Sequence, residues 1–372
     1  PLPLSSFQLS RLVIDARLAG HSGIGTYLSE LLPRVVPSLA TWRPRVLVVP
    51  AQREATQAHL GKDIAVEPWD VPPLSPRDLV AVPPGMAAGD VLWTPHFNVP
   101  LRGGHPLVAT LHDLLPLTAP ALAGPGRGWP VRAWLGAIRA RARAVLCVSQ
   151  FTRAEAMRLG RLPASRLTVS HLAADAAWFA PADAPAPDAT PTIVYVGLLK
   201  PHKNVARLLR AFAQVRDRIP HRLVLVARHH QIRTIDREAL SLAHAMPDRV
   251  ELIESLPFAE LVRRVKQAQF AAQPSLHEGF GLPALEAMAA GVPVLAGHAG
   301  ALPEVCGESA LYCNPEEESD IARALLALAT DAPLRRRLAA EGRKRARTFS
   351  WDACARLTAD TLRNALASPP PR

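Results

Sequence analysis

The chain has 372 residues, 49% of them hydrophobic, and 43 Lys and Arg against 32 Asp and Glu, for a formal charge of +11. At about 100 to 200 residues per domain this length predicts two domains, each burying its own core. No apolar run approaches the ~18 to 20 residues that span a bilayer, and Pro1-Leu-Pro-Leu-Ser-Ser-Phe-Gln8 lacks the basic and apolar regions of a secretion signal, so a cytoplasmic location is expected. The four cysteines, Cys147, Cys306, Cys313 and Cys354, show no Cys-x-x-Cys spacing and are expected to be free thiols without zinc. The positive charge suits anionic lipid, nucleic acid or a diphosphate-bearing substrate. No nucleic-acid motif accompanies the scattered arginines, which argues against specific nucleic-acid binding.

In chain order, apolar runs at 12–15, 45–49, 91–93, 107–111 and 144–149 alternate with helix-like stretches, the pattern of a parallel sheet covered on both faces. The Pro- and Ala-rich stretch 181–191 reads as a linker. The alternation resumes with strands at 193–197, 223–227, 250–253, 270–273 and 292–296, and with helices near 205–218, 235–245 and 258–268. The expected fold class is therefore α/β, two facing Rossmann-like doubly wound domains with a cleft between them. The expected divisions are 1–180, the linker 181–191, 192–347, and a last helix with a Pro-rich tail at 348–372. Open sheets of this kind bind ligands at the carboxyl ends of their strands, so chemistry is sought there.

The most informative segment is Pro274-Ser-Leu-His-Glu-Gly-Phe-Gly-Leu-Pro-Ala-Leu-Glu-Ala-Met-Ala-Ala-Gly-Val-Pro-Val294. It reads as a strand end, a Gly-Phe-Gly turn, a helix with Pro283 at its first position and Gly291 as its stop. Backbone N–H groups of Gly279, Phe280, Gly281 and Leu282 at that helix start suit phosphate or a sugar oxygen. Glu286, in the first turns, is expected to stay ionised under the helix dipole and to suit ribose hydroxyls, with Glu278 suiting the hydroxyls of a sugar.

Val196-Gly-Leu-Leu-Lys-Pro-His-Lys-Asn204 places Lys203 after a strand and at a helix mouth, where an ammonium reaches a diphosphate leaving group. His202, His229 and His230 show no ligand spacing and are expected to face solvent. No Asp-x-Asp occurs, so the usual carboxylate grip on a divalent metal is missing and no metal or other cofactor is expected. Ser22-Gly-Ile-Gly-Thr-Tyr27 fails as a dinucleotide fingerprint, because the third glycine would fall at Leu28. Thr94-Pro-His-Phe-Asn-Val-Pro100 and Thr110-Leu-His-Asp-Leu-Leu-Pro116 both follow strands, which gathers His96, Asn98, His112 and Asp113 at one edge. The helix after Gly128, with Trp129, Trp134 and several arginines, suits a membrane interface or, equally, an amphipathic helix with Trp134 in the core.

Two glutamates seven residues apart around Gly-Phe-Gly-Leu-Pro, together with the Lys203 motif, resemble the retaining glycosyltransferases of the GT-B fold known as family 4. The likeness extends to Val148-Ser-Gln-Phe-Thr-Arg153 and to Pro293-Val-Leu-Ala-Gly-His-Ala-Gly-Ala-Leu-Pro-Glu304. Among these enzymes the chain looks most like bacterial mannosyl- or rhamnosyltransferases of surface polysaccharide assembly. The resemblance implies a first domain on the acceptor side, a second holding a nucleotide-sugar donor, and a chain end that crosses back to the first.

By the same resemblance Glu278 and His112 contact the transferred sugar, Glu286 the ribose, Lys203 the diphosphate, and Gly23 and Gly25 let the backbone approach the donor. Asp113, with His96 and Asn98, is expected to contact the sugar or the acceptor. Many members carry an arginine where this chain has Leu198 and Leu199, and Lys200 or Arg228 are the candidates to replace it. The implied partners are a nucleotide-sugar, first of all GDP-mannose, a glycan or lipid-linked acceptor, and an anionic membrane surface for a peripheral enzyme. A non-catalytic sugar-nucleotide-binding subunit and a GT-B enzyme using a UDP- or TDP-sugar are the alternatives.

Overall fold

The structure is a computed structural model that describes residues 10–20, 23–124, 126–181, 190–228 and 234–367. It divides into two units. Residues within 1–118, 126–171 and 351–372 form the first, and those within 119–125 and 172–350 the second.

Seven parallel strands make the sheet of the first unit: β1 (Leu12–Asp15), β2 (Arg45–Val48), β3 (Ala65–Pro68), β4 (Val91–Thr94), β5 (Leu107–Leu111), β6 (Ala142–Cys147) and β7 (Leu167–Val169). Their order is β3-β2-β1-β4-β5-β6-β7. Strands β1, β4 and β5 are buried along their whole length, so they read as unbroken apolar runs rather than alternating ones. The second sheet has six parallel strands: β8 (Thr192–Leu198), β9 (Arg222–Arg228), β10 (Val250–Ile253), β11 (Phe270–Gln273), β12 (Val294–Gly297) and β13 (Leu311–Cys313), in the order β10-β9-β8-β11-β12-β13. Both sheets wind outward in two directions from a central pair, β1/β4 in one and β8/β11 in the other. Such a pair is the topological switch point, where the connections leave a crevice at the carboxyl ends of the strands.

The edge strands β3, β7 and β13 escape the apolar-run reading because their apolar runs are short. The helix Leu282–Ala289 starts one residue earlier than expected and carries Pro283 at its second position. Gly281 precedes it with φ 99°, and a Cβ there would lie 2.7 Å from Leu302 Cδ2, so glycine is required on two counts.

The second unit begins at Leu172, earlier than the boundary expected at 181, because the short helix Ala176–Phe179 is tied into it. Lys266 Nζ donates to the carbonyls of Ala177 at 2.7 Å and Ala180 at 2.8 Å, and the Trp178 ring stands edge-on to Phe258 at 5.9 Å. Of the expected linker, residues 182–189 lie outside the described residues. The helix Trp351–Ala367 belongs to the first unit, where Arg143 donates to the carbonyl of Ala365 and Arg34 pairs with Asp352 at 3.1 Å.

In the helix Gly128–Arg141 the two tryptophans part ways. Trp134 is in the core, its ring 5.5 Å from that of Phe97, while Trp129 is 67% exposed. The helix is thus amphipathic on the core side, and its outward face carries Trp129 with Arg132 and Arg139. All four cysteines are free and buried. No described helix is long and apolar enough to cross a membrane.

Candidate active site

The switch point of the second sheet brings two sequence-predicted residues together. Strand β8 runs into a short turn, Pro201–Lys203, and β11 into Pro274–Glu278. Lys203 Nζ lies 2.7 Å from both carboxylate oxygens of Glu278, and Ser275 Oγ donates to Glu278 Oε1 at 2.8 Å. Both side chains are mostly withdrawn from water, at 15% and 10% exposure, so the pair is little screened. Lysine has three N–H donors and a carboxylate about four acceptor sites. One donor of Lys203 and acceptor capacity on Glu278 therefore remain for a ligand.

The loops that carry this pair are held by residues the sequence did not single out. Asn204, in the left-handed region at φ 64°, donates through Nδ2 to the carbonyls of Pro274 at 2.9 Å and Pro315 at 2.6 Å, and Arg207 donates to its Oδ1 at 2.6 Å. The Leu276 N–H donates to the His202 carbonyl at 2.8 Å. From the other side the turn after β12 presses on Glu278, whose carbonyl accepts from Ala301 N at 2.9 Å. A Cβ on Gly300 would sit 2.6 Å from the Glu278 main-chain N and O, and one on Gly297 would sit 2.5 Å from the Ser275 carbonyl. The resemblance in 293–304 is thus a steric requirement, and an Asn after the Lys-x-x-Lys turn was the signal for Asn204.

Two expectations about this half need correction. Glu286 does not stay ionised by the helix dipole. It is the fifth residue of an eight-residue helix, beyond the turn where the dipole acts, and burial pushes its carboxyl up to about 8. Asp175 adds to the rise, and the Trp178 indole N–H opposes it from nearby without completing a hydrogen bond of normal geometry. His202 does not face solvent, because it is largely enclosed and the charges of Lys203 and Lys200 add to burial in pushing its pKa down to about 2. His229 and His230 lie outside the described residues. Phe280 and Leu282 point inward, the Phe280 ring standing 5.8 Å from Phe349, so only their main chain, with that of Gly279 and Gly281, can meet a ligand. Of the replacement cations, Lys200 precedes the Lys203 turn and Arg228 is exposed at the carboxyl end of β9. Leu199, at an arginine position of the resembled family, is wholly buried in the core.

The first unit places His96 and His112 at the carboxyl ends of the adjacent strands β4 and β5. His112 Nε2 donates to the Pro95 carbonyl at 3.0 Å, which leaves Nδ1 as the bare acceptor, and the Tyr27 ring stands edge-on at 4.9 Å. Burial, with His96 adding, pushes its pKa to about 4, so the imidazole is neutral at physiological pH. Asp113 Oδ1 accepts from Leu115 N at 3.0 Å and so caps the turn that follows. His96 Nδ1 meets Asn98 Oδ1 at 2.7 Å, and Asn98 Nδ2 donates to Asp78 Oδ2 at 2.8 Å. Asp78 pairs with Arg17 at 2.7 Å, Arg17 pairs with Asp15 at 2.6 Å, and the guanidinium lies 3.5 Å over the Trp69 ring. Arg17 and Asp78 were missed. Asp15-Ala-Arg17 directly after a buried strand was the one signal available.

Gly23 precedes the helix Ile24–Val35 with φ 79° and open space where a Cβ would be, while Ser22 lies outside the described residues. Gly25 is hemmed in by the preceding loop. It is buried, and a Cβ would lie 2.4 Å from the Ala19 carbonyl, so its role is to let the helix close on the preceding loop.

Two predictions follow from this geometry. Gly300→Ala is expected to displace Glu278 and to cost about 1–3 kcal/mol from the positive φ and the clash together, read as a lower denaturant midpoint. Glu286 ionises at about 4.5 when unfolded and about 8 when folded. The folded state therefore keeps a proton the unfolded chain has lost, and stability falls as pH rises through that window. Glu286→Gln is expected to melt higher than the parent at pH 8, by about 1–2 kcal/mol of stability after discounting for partial exposure, and equally at pH 4.

Two family models match the chain, Glycosyltransferase Family 4 over residues 86–178 and Glycosyl transferases group 1 over residues 177–345. Among curated proteins it is 29% identical to O-antigen chain mannosyltransferase B of Escherichia coli over 70% of each chain. It is 32% identical to MMP alpha-(1->4)-mannosyltransferase of Mycolicibacterium hassiacum over 71% of this chain and 66% of that one. A third relative, the D-inositol 3-phosphate glycosyltransferase of Corynebacterium glutamicum, is matched over 44% of its length, so the chain spans about two thirds of the first two and under half of the third. Among solved structures, sucrose-phosphate synthase from Thermosynechococcus elongatus gives a TM-score of 0.77 at 19% identity over 97% of this chain and 100% of that one. Anabaena HepE in complex with UDP-glucose gives 0.74 at 18% identity over 95% and 99%. Two doubly wound sheets, their shared architecture with these structures and both family matches lead to one assignment: the chain is a GT-B glycosyltransferase belonging to family 4 and group 1.

Proposed function

We propose that this glycosyltransferase moves a hexose, first of all mannose from GDP-mannose, with retained anomeric configuration and without a metal ion, to a glycan or lipid-linked acceptor of a surface polysaccharide. The observation that carries the proposal is the Lys203–Glu278 pair at the β8/β11 switch point, a cation and a carboxylate each with capacity left for a ligand. Mannose is supported by relatives named as mannosyltransferases, and a nucleotide donor by the neighbour bound to UDP-glucose. The absence of Asp-x-Asp supports metal independence.

As the bond to the sugar breaks, negative charge grows on the departing diphosphate. A fixed ammonium stabilises that charge more than it does the ground state, which is the condition for faster chemistry. Before a donor arrives Glu278 holds Lys203, which neutralises a carboxylate that would otherwise repel phosphate. With the donor in place Glu278 accepts from hydroxyls of the hexose and Glu286 from those of the ribose, and main-chain N–H groups from Gly279 to Leu282 face the phosphates. In the first unit His112 keeps Nδ1 bare for a sugar hydroxyl. The diphosphate itself takes the acceptor proton.

Thermal shifts with GDP-, UDP-, ADP- and TDP-sugars test the donor, since a ligand at about 100 times its Kd adds about 2.7 kcal/mol of stability. GDP-mannose is expected to give the largest shift. Glu278→Gln and Lys203→Ala are each expected to lower kcat at least a hundredfold with melting temperature little changed. Wild-type turnover in either would remove the assignments, and an initially inverted anomer by NMR would remove retention.

The exposed Trp129, with Arg132 and Arg139 on the same helix, supports a peripheral enzyme on anionic membrane. Vesicles containing anionic lipid are expected to sediment the protein at low salt, and Trp129→Ala to weaken this several-fold. Equal sedimentation of both forms would refute the role of Trp129.

A further inference from the structure

In the first unit, the chain of contacts from Arg17 to His96 ends in an atom with no protein partner among the described residues. Asp78 is 2% exposed and held by the Arg17 guanidinium. A carboxylate of this kind only accepts, so the Asn98 amide must turn its NH2 toward Asp78 and its oxygen toward His96. An oxygen 2.7 Å from His96 Nδ1 requires the proton on that nitrogen, since two facing lone pairs would repel. The Asn98 main-chain N–H, at 3.3 Å from the same atom, is the weaker competitor. Nε2 is then the bare nitrogen. It has no hydrogen-bond partner among the described residues and it is not enclosed, although the residue is only 9% exposed.

We propose that His96 is a sugar-binding residue whose tautomer is locked by the buried Asp78–Asn98 relay, so that Nε2 accepts a hydrogen bond from a pyranose hydroxyl next to the one His112 reads. This rests on the glycosyltransferase reading and deepens it by naming the group that recognises the sugar. His112 is locked in the opposite sense by the Pro95 carbonyl, with Nδ1 bare. Pro95 and His96 are consecutive, so one turn fixes both rings. Two neutral imidazoles with free lone pairs on neighbouring strands accept but do not donate, which suits two adjacent hydroxyls and disfavours carbonyl or phosphate oxygens.

The test uses full-length protein with 15N-histidine and methyl α-D-mannopyranoside as the probe. The expected spectrum gives His96 a protonated Nδ1 and a bare Nε2, and titration with the sugar shifts the Nε2 resonance. His96→Phe is expected to weaken binding of this probe five- to tenfold, and His96→Gln, which restores an acceptor oxygen, to recover to within about twofold of wild type. Asp78→Asn lets the Asn98 amide turn either way, so both His96 tautomers are expected. If that variant does not fold, the wild-type spectrum alone decides the tautomer. A proton on Nε2, an unmoved Nε2 resonance in the presence of the sugar, or wild-type affinity in His96→Phe overturns the proposal. A normal His96 response without any shift by a sugar nucleotide would instead count against the donor assignment and leave His96 in place.

Discussion

One ion pair organises the second unit. Holding an ammonium 2.7 Å from both oxygens of a carboxylate, at low exposure, requires two loops from different strands to meet with little freedom. The chain meets that requirement with main chain rather than bulk. Asn204 fastens the Lys203 turn to Pro274 and Pro315, the His202 carbonyl receives Leu276 N, and the glycines at 297 and 300 let the next loop rest on the Glu278 backbone. A partly buried ion pair gives modest net stability at best, because desolvation offsets much of the attraction. What it supplies is position. Each partner is set before any ligand arrives, and each keeps hydrogen-bonding capacity in reserve.

The two units apply one topological rule to different chemistry. Both place their polar residues where strands wind in opposite directions from a central pair. In the second unit these residues are charged. In the first, the Asp15–Arg17–Asp78 cluster is buried, and beside Asp113 at the ends of β4 and β5 stand imidazoles, His112 held neutral by burial. Arg17 is kept by two carboxylates and an aromatic face, so its charge is matched without water. Rigid positioning of neutral acceptors by a buried charged cluster is consistent with recognition of hydroxyls, which carry no charge to attract.

Much of the fold was legible because a parallel sheet buried on both faces writes its strands as continuous apolar runs. Strands β1, β5, β10 and β11 have the bounds their residues predict. The edge strands β3, β7 and β13 were not read although the equally short, partly buried edge β10 was, because Val250-Glu-Leu-Ile253 keeps three apolar residues of four while Ala65-Val-Glu-Pro68, Leu167-Thr-Val169 and Leu311-Tyr-Cys313 leave shorter runs. At the site, Lys203 and Glu278 were readable as residue types in motifs, but not as partners, because 75 positions separate them and only the sheet order brings β8 beside β11. Asp78 lies in an irregular stretch with no period to read, and its pairing with Arg17 across 61 positions has no local signature. Trp134 was the core tryptophan of one of the two readings of its helix, and it is in the core while Trp129 is exposed.

Glu286 shows why a local rule failed. A helix start favours an anion by roughly 0.3 to 1 kcal/mol within its first turn, whereas withdrawing a carboxylate from water costs several times that. With Leu285, Ala287 and Met288 buried around it and Asp175 nearby, the second effect wins and the proton stays to about pH 8. The protein therefore carries an acid that is costly to ionise, with the Trp178 indole nearby. Two vicinal hydroxyls brought against it would donate to the carboxylate, lower that cost and let the proton leave. Under the proposed function, stability given up in the unliganded protein reappears as affinity for the ribose, so the residue that weakens the fold at neutral pH is the one that recognises the donor.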